Sequence, residues 1–252
     1  MVNPIIITIH GNSTSPVIWN EFIKLIGEKA VVIAVTIPGH GGDVLNKQIS
    51  FADAVDRIIV DINEKVTMNE KFHLIGASLG GHLAVKIASL IPKRILSIAI
   101  TGTPLTSPLV KIPQFIPKNE LIMSVLSRGL LVKEEPFTLQ EAEDFTKSQD
   151  PSEDALQEMI DAAMVTSRYA RCISLDYFSK SGDLDEVEDI IKTGIPIHYI
   201  HGKRDAAVNV QHIKEEIGLY PNGQATFTEL DDGHSLVLSK AFYEVYFDVV
   251  KL

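Results

Sequence analysis

The sequence predicts a mostly parallel, doubly wound α/β sheet of about six strands that carries an inserted helical cap. Two observations lead there: short β-branched runs alternate with stretches of helical period, and that rhythm stops between residues 103 and 192. Strands of a parallel sheet are buried on both faces, so they read as unbroken apolar runs. Six such runs are present: 4–10 (PIIITIH), 30–36 (AVVIAVT), 71–76 (KFHLIG), 95–101 (ILSIAIT), 195–201 (IPIHYIH) and 224–230 (QATFTEL).

Between the second and third runs, Ser50 and Asp53 fit a capping box, and Val55, Ile58, Ile59, Ile62 and Val66 then recur at helical spacing. Further helices are expected over 16–28, 79–91, 208–217 and 238–250. The interrupted stretch opens with the proline-rich TPLTSPLVKIPQFIP, read as an irregular linker. Thr138 with Glu141 forms another capping box, and Asp150, Pro151 and Glu153 mark a further helix start. The expected organisation is a core of 1–102 and 193–252, with 103–192 as a helical cap over one edge of the sheet.

Bulk properties narrow the function. The 252 residues are 45% hydrophobic and 22% charged, with a mean hydropathy of +0.14, a composition able to bury a large core. A net charge of −10 argues against a nucleic-acid partner, which needs clustered Lys and Arg to neutralise phosphates. No apolar run approaches the roughly 18 residues that span a bilayer, and the N-terminus lacks a basic segment before its apolar run. A cytoplasmic protein with no membrane contact is the expectation. The lone Cys172 cannot form an internal disulfide, and no metal-ligand pair is visible, so no metal and no cofactor are expected.

The chemistry centres on Gly76-Ala77-Ser78-Leu79-Gly80. A G-x-S-x-G match arises by chance in on the order of one chain in ten of this length. Here it follows a strand and opens a helix, the context in which a sharp turn lifts a serine above a sheet and points it at a helix N-terminus. Ser78 is the candidate nucleophile.

A serine hydroxyl needs a base near pKa 7 and an acid to orient that base. Of eight histidines, His73 and His198 lie in strands, His82 and His212 on helices, and His10 and His40 in turns whose shape they would fix. His234 instead follows the last strand in Asp231-Asp232-Gly233-His234-Ser235 and is the candidate base. The acid should end a strand between serine and histidine. Asp205, just after IPIHYIH, meets that requirement, whereas the preceding strand ends in Thr101-Gly102-Thr103 with no carboxylate. A tetrahedral oxyanion needs two N–H donors. Leu79, next after the nucleophile, supplies one, and Asn12 in the turn after the first strand is the candidate for the other.

The set of HGN, PGHG, GASLGG, GKRD and DGHS, in that order, resembles the α/β-hydrolase superfamily over nearly the whole chain. More narrowly, HGNSTS, SLGGH, ITGTP and EEPFTLQEAEDFTKS resemble its serine-dependent N-acyl homoserine lactonase and esterase branch. That resemblance implies hydrolysis of a lactone or ester at a metal-free site under a helical cap. Two departures stand out. Relatives carry an antiparallel strand pair before the first strand named here, which this chain lacks or shortens. Where those lactonases would carry a cap tyrosine, this chain has Phe145.

The expected reaction is acyl transfer from an ester or lactone to Ser78 and then to water. Trp19, Phe115, Met123, Phe145, Met164, Tyr169 and Phe178 are candidates to line the acyl pocket. Dehalogenase and epoxide hydrolase chemistry would need a carboxylate in place of Ser78, and metal-dependent lactonases an HxHxDH cluster. A thioesterase, a carbon–carbon bond hydrolase or a slow-turnover ligand sensor could use the same residues.

Overall fold

A computed structural model describes residues 3–251. Among these, six strands form one sheet: β1 Ile5–Ile9, β2 Val31–Val35, β3 Phe72–Ala77, β4 Ile95–Thr101, β5 Ile197–Gly202 and β6 Ala225–Leu230. Their order is β2-β1-β3-β4-β5-β6, and every pairing is parallel. β2 forms one edge, with no antiparallel pair outside it among the described residues.

The strand side chains alternate between two apolar layers, as a doubly wound sheet requires. On one face Ile7, Ile9, Leu74 and Ile98 pack against α2 (Phe51–Lys65), α3 (Leu79–Leu90) and α9 (Val210–Ile217). On the other, Ile6, Ile75, Ala99 and Ile200 meet Phe22 of α1 (Asn20–Ile26) and Phe242, Tyr243 and Tyr246 of α10 (Lys240–Val250). The helix expected over 16–28 divides into a 3-10 turn, Pro16–Trp19, and α1. The Ser50 hydroxyl accepts the Asp53 N–H while the Asp53 carboxylate accepts the Ser50 N–H, the reciprocal cap that starts α2.

Between β4 and β5 come α4 (Glu120–Ser127), α5 (Leu139–Lys147), α6 (Glu153–Met164), α7 (Cys172–Lys180) and α8 (Glu186–Thr193). α4, α5 and α6 share a small core of Val125, Leu130, Phe137, Ala142, Phe145, Ile160 and Ala163. The Thr138–Glu141 box starts α5. α6 begins at Glu153 with Ser152 as its N-cap, so Asp150 and Pro151 precede the helix and do not cap it. The 103–192 insertion also contains a helix of the main core: α8 packs on α3 and buries Val187 and Ile190 in the larger apolar layer. A parallel crossover from β4 to β5 needs such a helix on the sheet. The proline-rich linker is pinned as well, for Phe115 bridges Val208, and Ile116 N–H donates to Ala207 O at 2.8 Å. No helix among the described residues is long and apolar enough to cross a membrane.

One buried cation ties the insertion to the β1 loop, where Arg171 Nη1 donates to Ser13 Oγ at 3.4 Å. The Arg171 guanidinium is fully buried, donates through Nε to Lys133 O (2.6 Å) and through Nη2 to Glu135 O (2.7 Å), and lies 4.0 Å from the Phe137 ring centroid. Burial lowers its pKa to about 10, still charged at neutral pH. Arg171→Met strips donors from two carbonyls, so urea unfolding should show a loss of about 3 kcal/mol. A loss below about 1 kcal/mol, the value of an ordinary hydrogen bond, would refute that role.

Candidate active site

Register brings the candidate residues to one edge. Gly76 of β3 pairs with Ile9 of β1 and Ile100 of β4, so the ends of these three strands lie level. Ser78 leaves β3 with φ 52° and ψ −120°, a backbone conformation rarely occupied by a residue with a Cβ, and α3 starts at the next residue. Three contacts hold the turn: Ser78 N–H donates to Thr101 O (2.9 Å), Gly81 N–H to Ser78 O (2.9 Å), and the Thr103 hydroxyl to Ser78 O (3.0 Å). Gly80 is required by close approach, because a Cβ there would lie 2.3 Å from the carbonyl oxygens of Ile9 and His10. Since positive φ is strained for serine, Ser78→Gly should raise the thermal midpoint by a few degrees, from about 1 kcal/mol of relieved strain. Calorimetry showing an unchanged or lowered midpoint would mean that the turn is not strained.

Asp205 and His234 meet across the β5 and β6 ends. His234 Nδ1 lies 2.6 Å from Asp205 Oδ2, while Asp205 Oδ1 accepts the N–H groups of Ala207 (2.9 Å) and Val208 (3.0 Å). Asp205 is fully buried. Burial pushes its carboxyl pKa up, but the His234 charge and hydrogen bond and the two backbone donors outweigh this and hold it well below the usual range. Burial likewise pulls the His234 pKa down, and the Asp205 carboxylate reverses that to leave it raised. The imidazole rests on Gly102, where a Cβ would come within 2.6 Å of His234 Cε1.

Ser78 and His234 line the same cavity, about 290 Å³, with Asn12 and Leu79 also in its wall. No hydrogen bond joins Ser78 to His234 among the described residues, and such contacts often tighten only when substrate binds. The β1 loop is shaped by two histidines that burial keeps neutral, His10 with its pKa lowered to about 3 and His40 to about 4. His10 Nε2 accepts Ile37 N–H (3.0 Å), and His40 Nε2 lies 3.4 Å from Asn12 Oδ1. Asn12 Nδ2 donates to Leu131 O (2.9 Å), so the candidate oxyanion loop is fastened to the cap.

Of the aromatic and methionine candidates, Phe115, Phe145 and Phe178 line the cavity. Four lie elsewhere. Trp19 is wholly buried in the α1/α10 core, Met123 is 50% exposed on the outer face of α4, Met164 is 38% exposed at the end of α6, and Tyr169 packs against the main core. The wall also includes the apolar Ile122, Val125, Leu126 and Leu131, none of them a sequence candidate, and a polar group that the sequence does not single out. There the buried Glu186 carboxylate accepts from His82 Nδ1 (3.0 Å), Thr106 N–H (2.9 Å) and the Tyr177 hydroxyl (2.9 Å), with His82 and Tyr177 in the cavity wall. Only the position of His82 one helical turn beyond Ser78 hinted at it.

Residues 6–246 match the model of the alpha/beta hydrolase family, and the chain belongs to that family. Monoacylglycerol lipase ABHD6 of Mus musculus is 25% identical over 251 residues, covering 94% of this chain and 72% of that protein. Two solved structures share the fold. N-acyl homoserine lactonase AidH, complexed with N-butanoyl homoserine, is 23% identical with a TM-score of 0.75, covering 99% of this chain and 89% of its own. The 2-hydroxy-6-oxo-6-phenylhexa-2,4-dienoate hydrolase from Rhodococcus sp. strain RHA1 is 17% identical with a TM-score of 0.76, covering 99% and 91%.

Proposed function

We propose that this chain is a serine hydrolase that cleaves a carboxylic ester or lactone through an acyl-enzyme on Ser78. The observation that carries the reading is the Asp205-held imidazole of His234 lining the same cavity as Ser78. Ser78 Oγ attacks the carbonyl carbon while His234 Nε2 takes its proton. The oxyanion is met by the N–H groups of Leu79 and Asn12, each able to contribute about 3 kcal/mol. Collapse expels the alkoxide oxygen, which leaves with the proton from His234. Water then repeats the sequence on the acyl-enzyme and releases the acid.

The cavity wall is mostly apolar, and about 290 Å³ lies at the small end of ligand pockets, which suits a short or medium acyl group. The relatives named as a monoacylglycerol lipase and an N-acyl homoserine lactonase support an acylated substrate. Phe145 contributes no hydroxyl to the wall, so polar contact with a lactone or alcohol group would come from Asn12, Ser148 or Ser174. The test is labelling with a serine-directed fluorophosphonate followed by peptide mapping. The adduct should fall on Ser78; an adduct on another residue, or none, would overturn the assignment.

A further inference from the structure

A second, smaller recess of about 20 Å³ lies against the reacting groups. Ser78, Gln149 and His234 are the three residues it shares with the larger cavity, and Ala77, Met159 and Val237 help to close it. One water needs roughly 10–15 Å³ and two or more polar partners, so this recess is the size of a single water. Gln149 supplies an unusual partner. Its side-chain Nε2 is buried and has no hydrogen-bond partner among the described residues.

Leaving a buried donor unpaired costs more than an ordinary hydrogen bond returns, and an apolar side chain would fill the space without that cost. The residue is nevertheless held firmly. Gln149 N–H donates to Thr146 O at 3.0 Å, its carbonyl accepts Ser235 N–H at 2.9 Å, and the next residue, Asp150, is fixed at φ 51°. The last turn of α5 and the His234 loop thus present this amide to the reacting groups through backbone contacts that do not depend on the side chain.

We propose that Gln149 positions the water that hydrolyses the acyl-enzyme, an inference that rests on the serine-hydrolase reading above. The water occupies the small recess, accepts a hydrogen bond from Gln149 Nε2 and donates one to His234 Nε2. Its oxygen bonds to the acyl carbonyl carbon as His234 takes the proton. The carbon–Ser78 Oγ bond then breaks, Oγ recovers the proton from His234, and the carboxylic acid departs. Water is the only co-reactant.

The test separates the two half-reactions. Enzyme in excess is mixed with p-nitrophenyl butyrate: nitrophenol release reports acylation, and quenched mass spectrometry follows decay of the butyryl adduct. In Gln149→Met, which keeps the length and loses the donor, nitrophenol release should stay within about twofold of the parent. Adduct lifetime should lengthen about tenfold, the effect of one hydrogen bond of ordinary net strength. Gln149→Leu gives the same comparison if the methionine variant does not fold. Adduct decay within about twofold of the parent, or equal slowing of both steps, would overturn the role of Gln149. A parent enzyme that forms no adduct would instead overturn the serine-hydrolase reading.

Discussion

Ser78→Ala should lower kcat on a short p-nitrophenyl ester by on the order of 10⁶, the loss found when the nucleophile of a cooperating triad is removed. The side chain sits in a turn held by backbone and Thr103 contacts, none of which uses the Ser78 hydroxyl, so the variant should unfold at the parent's temperature. That pairing of a large kinetic loss with an unchanged melt separates a chemical role from a structural one. Turnover within about tenfold of the parent would remove Ser78 from the reaction, since a tenfold change is only about 1.4 kcal/mol of barrier.

Asp205→Asn should cost on the order of 10⁴ in kcat, because an amide can hold the imidazole in the tautomer that cannot accept the serine proton. It should also move the pH profile. In the parent, the Asp205 carboxylate holds the His234 pKa above its ordinary 6.5 against the opposing pull of burial. The base acts only when unprotonated, so kcat/KM should rise with pH through a value above 6.5 and fall away below it. Removing the carboxylate leaves burial unopposed, and the limb should shift to lower pH. Measuring kcat/KM between about pH 5 and 9 for both proteins checks this. A limb that stays in place would mean that another group sets it.

The strands were legible because parallel strands are apolar on both faces, and all six runs lie within a residue or two of the observed elements. Ser50 and Asp53 were legible because a capping box is local, whereas the Asp150 start was misread because Ser152 and Pro151 both fit a first turn and only the observed backbone separates them. The cavity wall was the least legible part. Phe145 and Met123 both sit on amphipathic cap helices, yet one faces the cavity and the other solvent, since that depends on how α4 and α5 dock. Glu186 and His82 are 104 residues apart, and their contact exists only because α8 crosses over α3.

The sequence by itself determined the parallel sheet, the turn that holds Ser78 and the placement of the candidate acid and base at strand ends. Each follows from local backbone demands or from the fixed order in which strands end along the sheet. Tertiary structure alone decided which cap residues face the cavity, that α8 belongs to the core, and that Gln149 lies beside His234 with an unpaired amide. These depend on the approach of segments distant in the chain, where packing and the burial of polar groups act, and no local pattern records them.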